Sequence, residues 1–477
     1  MKNSTLAELA AVLQPKERDD LLLFLHSPWC NDYAHPADQA ALLRYLWQHP
    51  EPDKDEAYAH IFPHTEAVEN KLEKLMSATL KALRRWLLLR RREGETEEHL
   101  ALAAFYSSRS LLDRFDLAMS HARAALDKKT PHELRDYLLR YHLEYEISTH
   151  QTLHNQKKDD ANFNRTLAAL DRFYLAARLK NTFLLLMQMR FVPLPDAYTA
   201  RQFLQPMLAQ LRPHAQVMAP IVEVYEQMLA LIELPDAGMD DLQGLLALLQ
   251  RHDAVLDAET LDNAESFACN FCTAQYNHSR YEYLPVLYDL LLHRLRHGRL
   301  YKDGLMPINH FQQLVAVGLR MKQPDWVRDF LEQHRGRLVG GRQADEAWDF
   351  NYARYLLHTG QQAQALDLLA ANYEEMQYKF AAKVLEIQAL YETDSPLLDS
   401  KLDAAKVFFF REKKLPDDKK ALYNDFVDMM KQIIHPKTLH DPGRIRRLIE
   451  KVNSLPGIAE RDWVLQRLED LLEGKKP

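Results

Sequence analysis

The chain has 477 residues, 47% hydrophobic and 27% charged, a balance that excludes collagen-like, low-complexity and disordered classes. Sixty-one Lys and Arg against 68 Asp and Glu leave a formal charge of -7, so neither nucleic acid nor an anionic membrane is expected as partner of the whole molecule. Eighty leucines stand against 17 valines and 11 isoleucines, with only 13 glycines, so the apolar content comes from helix formers and an all-α fold is expected.

The opening residues, Met1 to Leu13, carry Glu8 and lack the charged-then-apolar order of a signal peptide. No apolar run approaches the ~20 residues of a membrane helix. Three cysteines cannot build a disulfide framework and fit a reducing compartment, so a cytoplasmic location is expected. Short helices are predicted at about Pro15 to His26, Ala37 to Gln48 and Lys54 to Ile61, split by proline-rich connectors. A longer one follows from about Glu66 to Arg92, with Leu72, Leu75, Met76, Leu83 and Leu87 on one stripe.

Opposite that stripe, about 180° to 220° round the helix from Leu72, lie Lys74, Lys81, Arg85 and Arg92. Between Lys71 and Arg92 there are eight basic residues and one acid. Such a row could meet phosphates or an acidic protein, although any solvated helix face looks the same. Trp86 to Leu89 is apolar round the whole circumference, which predicts burial on all sides. That places a junction at Gly94, dividing the chain into an N-terminal helical module, 1–94, and a helical-repeat array, 95–477, which the module would cap.

Thr130-Pro131-His132-Glu133 reads as a helix start, with a threonine cap, proline at the first position and a glutamate to close a capping box. Further starts are read at Pro15, Pro36, Thr65, Pro324 and Pro416, and stops at Gly94, Gly298 and Gly360. His142, Glu146, His150 and His154 recur every four residues on one predicted helix, a spacing that could share a metal but fits a solvated polar face better. Cys269 and Cys272 with His278 have the spacing of a metal half-site, yet they fall on an apolar stripe and read as small buried hydrophobes. His293 and His297, just before Gly298, suit last-turn cations against the helix dipole when protonated. No metal and no cofactor is expected.

Residues 344 to 372 predict two helices separated by His358-Thr359-Gly360, with Ala353, Gly360, Ala365 and Leu369 at spacings that resemble the tetratricopeptide repeat. Hairpin starts near Pro307, Ala344, Met376 and Pro416 recur in steps of roughly 32 to 40 residues, against ~34 for that repeat. An irregular tetratricopeptide-like solenoid of helical hairpins is therefore expected. Leu13-Gln14-Pro15-Lys16-Glu17, Phe24-Leu25-His26-Ser27-Pro28-Trp29-Cys30-Asn31, the stretch from Leu170 to Lys180, and Phe408-Phe409-Phe410 with Lys413-Lys414-Leu415-Pro416 resemble a family of uncharacterised bacterial helical-repeat proteins. The resemblance implies an all-helical repeat fold and no particular chemistry.

The glycine-rich phosphate loops and the nucleophile elbow are missing from the sequence. A non-catalytic protein- or peptide-binding scaffold is thus the leading expectation, with Asn351, Tyr355, Lys379 and Lys383 as partner-binding residues on the first helices of successive hairpins. Packing between helices is the rival role for the aromatic residues of that row. The alternative is a regulatory or nucleic-acid-associated protein using the basic helix 71–92, and the third reading is an enzyme whose site lacks a local motif.

Overall fold

The computed structural model describes residues 4–27, 31, 33–63, 70–90, 94–153, 161–189, 206, 209, 218–234, 236–370, 373–411, 416–435 and 441–474. Within these there are 22 helices and no strand, only isolated bridges such as His132 with Leu256. The chain is all-helical. No helix among the described residues is long and apolar enough to cross a membrane.

The chain divides into two compact units, one of residues 1–129 and 134–173, the other of 130–133 and 174–477. In the first lie α1 (Thr5–Ala11), α2 (Pro15–Leu25), α3 (Pro36–Gln48), α4 (Lys54–Ile61), α5 (Lys71–Arg90), α6 (Glu95–Ser108), α7 (Leu112–Lys128) and α8 (Leu134–Leu153). The division falls within α9 (Ala161–Gln188). The second unit continues with α10 (Pro220–Glu233), α11 (Met239–His252), α12 (Ala258–Asn277), α13 (Tyr283–Arg296), α14 (Ile308–Arg320), α15 (Pro324–His334), α16 (Arg342–His358) and α17 (Gln362–Leu369). It closes with α18 (Met376–Glu392), α19 (Leu398–Arg411), α20 (Asp417–Ile433), α21 (Pro442–Ser454) and α22 (Arg461–Leu472).

Helices α1 to α5 share one core in which Leu21, Leu42, Leu43, Leu75 and Leu83 are fully buried. The proline starts act as expected here: α2 and α3 begin on Pro15 and Pro36, and the Gln14 amide donates to the Glu17 carboxylate at 2.8 Å. Leu72 and Leu75 of α5 are buried while Lys74, Lys81 and Arg85 are exposed on the other side. The expectation of a turn buried all round at Trp86 to Leu89 fails. Trp86 is buried, whereas Leu88 and Leu89 are 73% and 62% exposed, because one neighbouring core claims one face of the helix only. Gly94 does not stop α5 either; it stands as the N-cap of α6.

A second cluster joins α6, α7 and α8 through Phe115, Ala122 and Leu143. Thr130-Pro131-His132-Glu133 does not open α8, which starts at Leu134. The His132 amide instead donates to the Val255 carbonyl at 2.9 Å, so this short segment is held extended by backbone pairing in the second unit.

In the second unit successive helices pack against each other in pairs: α10 with α11, α12 with α13, α14 with α15, α16 with α17, α19 with α20, and α21 with α22. Small residues set the close approaches. Ala353 and Ala365 are fully buried where α16 meets α17, and Gly360 turns the chain between them at φ +78°. Gly298 ends α13 at φ +71°, as read from the sequence. At Gly318 of α14 an added Cβ would lie 2.7 Å from the Val327 side chain of α15 and 3.0 Å from the Trp326 ring. The C-terminal core gathers Phe380, Phe409, Phe426, Val464 and Leu468.

Candidate partner-binding surface

Asn351 is fully buried, and its side-chain nitrogen donates to the Ala347 carbonyl one turn earlier at 2.7 Å. A side chain placed this way cannot reach the backbone of a docked peptide without the helix moving. Tyr355 is 8% exposed and stacks on Tyr352, which stacks in turn on Trp348; the Trp348 indole donates to the Leu331 carbonyl at 2.8 Å. These rings fill the space between α15 and α16. Lys379 and Lys383 are half-buried on α18, and the Lys383 ammonium sits 5.1 Å from the Phe408 ring centre. Three- and four-residue spacing serves packing as readily as recognition.

Of the basic row, Lys74, Lys81 and Arg85 share the exposed face of α5, and Arg92 lies outside the described residues. The histidine row is split. His142 is exposed, but His150 is buried, stacks on Phe115 at 3.6 Å and has Ser107 Oγ at 2.8 Å from Nδ1. The expected solvated face is corrected at His150: α8 meets Phe115 of α7 on this side and Thr166 of α9 through Ser148 on another. His154 lies outside the described residues.

Cys269 and Cys272 are buried, and burial pushes their thiols up to about 11 and about 12. His278 lies at the end of α12 with Nδ1 2.7 Å from the Ala274 carbonyl. Among the described residues no group of three or more His, Cys, Asp and Glu could hold a metal ion. His293 lies in the last turn of α13, where the sequence places it. Burial, then the neighbouring His297, holds its imidazole below the usual histidine range.

Two polar clusters escape sequence reasoning. In the first, Glu265 of α12 is nearly buried and pairs with Arg299, with Arg294 at 3.7 Å and His293 at 3.4 Å. Burial raises its carboxyl above the usual range even against those two guanidinium groups. The second cluster surrounds a cavity of about 820 Å³ at the C-terminal ends of α12, α14, α16 and α18, beside α22. The Tyr276 hydroxyl donates to Asp462 at 2.6 Å, and Arg320 donates to the same carboxylate at 3.2 Å. Arg354 pairs with Glu460. The Trp463 indole and Arg467 both donate to Glu392, at 2.9 and 3.2 Å. Four alternate helices thus contribute polar side chains to one cavity, none of them from the row Asn351, Tyr355, Lys379 and Lys383.

Glu460 precedes α22 with φ +50° and ψ 44°, a left-handed conformation uncommon outside glycine. The helix behind it is amphipathic. Val464 and Leu468 are fully buried in the C-terminal core, whereas Asp462, Leu465 and Gln466 line the cavity. Comparison with protein-family models, with curated proteins and with solved structures finds no match to this chain.

Proposed function

We propose that the chain is a non-catalytic binding scaffold, a tetratricopeptide-like solenoid of helical hairpins that holds a protein or peptide on the ends of its alternate helices. One observation carries the reading: the four alternate helices α12, α14, α16 and α18 bring aromatic and charged side chains to a single cavity. Supporting it, α14 touches α16, α16 touches α18 and α18 touches α20, the neighbour-to-neighbour contact of stacked repeats. Membership of the bacterial helical-repeat family resembled by the stretches around Pro15, Leu170 and Phe408 is part of the same proposal. So is the division into a module of residues 1–94 and an array of 95–477.

The volume suits several side chains of a ligand, within the ~300 to 1,000 Å³ usual for pockets, and its lining mixes rings and leucines with paired charges. Selection of a random peptide library on the full chain tests the proposal. Enriched peptides should bind the wild-type chain and lose binding in Arg354→Glu. Failure to enrich any peptide, or equal binding by the variant, overturns it. A second reading keeps the exposed row Lys74, Lys81 and Arg85 as a site for an acidic partner or nucleic acid, marked by a steep loss of binding with salt.

A further inference from the structure

At the start of α22 the contacts that close the cavity share one sense, acids meeting a hydroxyl and guanidinium groups on α12, α14 and α16, while further along the helix Trp463 and Arg467 donate the other way to Glu392 of α18. Glu460 pairs with Arg354, and Asp462 accepts from Tyr276 and Arg320. Arg461, between them, points the other way and donates to the Val452 carbonyl at 2.6 Å. Resting on the scaffold reading, we propose that Tyr276, Arg320 and Arg354 form a receptor for a carboxylate-bearing peptide, and that Glu460 to Trp463 occupies it in the free chain as an internal stand-in for that partner.

Three observations carry this. The first is charge and spacing: two guanidinium groups on adjacent alternate helices take two carboxylates at positions i and i+2, so the matching partner has an acid, any residue, an acid, and then an aromatic in place of Trp463 beside Tyr391 and Glu392. The second is partial solvation. Arg320 and Asp462 have side chains 38% and 41% exposed, and Arg354 and Glu460 24% and 25%, so exchanging one carboxylate for another is close to balanced, as it is not for a dry ion pair. The third is anchorage. Val464 and Leu468 keep α22 in the C-terminal core while its acids let go, and the left-handed backbone at Glu460 is a conformation that neighbouring contacts must sustain.

The test uses a fluorescein-labelled synthetic peptide with the sequence of residues 458–468, titrated into the full chain and read by polarisation. The Glu460→Gln, Asp462→Asn double variant should bind it about tenfold more tightly than the wild type, because its own acids no longer compete. Adding Arg320→Ala and Arg354→Ala should abolish that gain, and a peptide with both acids changed to amides should not bind. Circular dichroism checks the fold of each variant, and Glu460→Gln alone must show a smaller gain of the same sign. Equal binding by wild type and double variant, binding that survives loss of both arginines, or no binding by any variant overturns the proposal. A library-selected peptide that binds through α12 to α18 without needing acids would leave the scaffold reading standing and remove this one.

Discussion

The Tyr276 hydroxyl donates a 2.6 Å hydrogen bond to Asp462 across 186 residues of sequence. Burial, and then the adjoining Asp462 carboxylate, raises the phenol above its usual range, so the proton stays on the tyrosine and the bond keeps this polarity. Asp462→Ala should cost about 1 to 2 kcal/mol of stability, since it strands the half-buried hydroxyl and removes one partner of Arg320. Urea unfolding of the two chains measures it. Identical midpoints would mean that solvent replaces the carboxylate without loss.

Gly318→Ala should destabilise although alanine is the better helix former by about 1 kcal/mol. The new Cβ would meet Val327 at 2.7 Å, and Val327 is fully buried, so neither helix can give way cheaply. A net loss of about 1 to 3 kcal/mol is expected in chemical denaturation, as for other overpacked contacts. A stabilised variant would show that α14 and α15 separate readily.

Stability should fall as the pH drops below the ordinary histidine value of 6.5. His334 is buried, with Tyr301 Oη 2.8 Å from Nε2 and the Phe330 carbonyl 2.8 Å from Nδ1. Burial lowers its pKa, and burial does the same at His310 and His293. A depressed folded pKa means that the unfolded chain binds more protons between that value and 6.5. The folded state therefore has its full advantage above 6.5 and loses it progressively below. Melting temperature followed from pH 7.5 down to 5 tests the sign, and His334→Gln should flatten the slope.

In a Cys30→Ser chain, Cys269 and Cys272 should resist thiol reagents at neutral pH until the protein unfolds. Their burial and raised pKa values suppress both access and thiolate. Reaction rates in native buffer and in denaturant decide this. Rapid labelling of the native chain would show that α12 opens locally.

Local signals made the helices legible. Pro15, Pro36 and Pro324 start helices because proline suits the first turn, and Gly298 and Gly360 end them because their backbones lie at positive φ. The same reasoning failed at Thr130-Pro131, where pairing with Val255 and Leu256 outweighs the capping pattern, and at Gly94, where a glycine suits an N-cap as well as a stop. The cavity was illegible for a different reason. Arg354 lies three residues from Asn351 on α16, but its partner Glu460 is 106 residues away, and no spacing rule reports a pair at that separation. Periodicity placed Asn351 on a helix without telling which face the neighbouring helices would cover.

Hydrogen–deuterium exchange on the full chain, with and without a library-selected peptide, tests the scaffold claim most directly. Bound peptide should slow exchange at the C-terminal ends of α12, α14, α16 and α18 together, around Tyr276, Arg320, Arg354 and Gln388, and leave α5 unchanged. Protection confined to α5, or spread evenly over the chain with no focus on those four helix ends, would contradict the account.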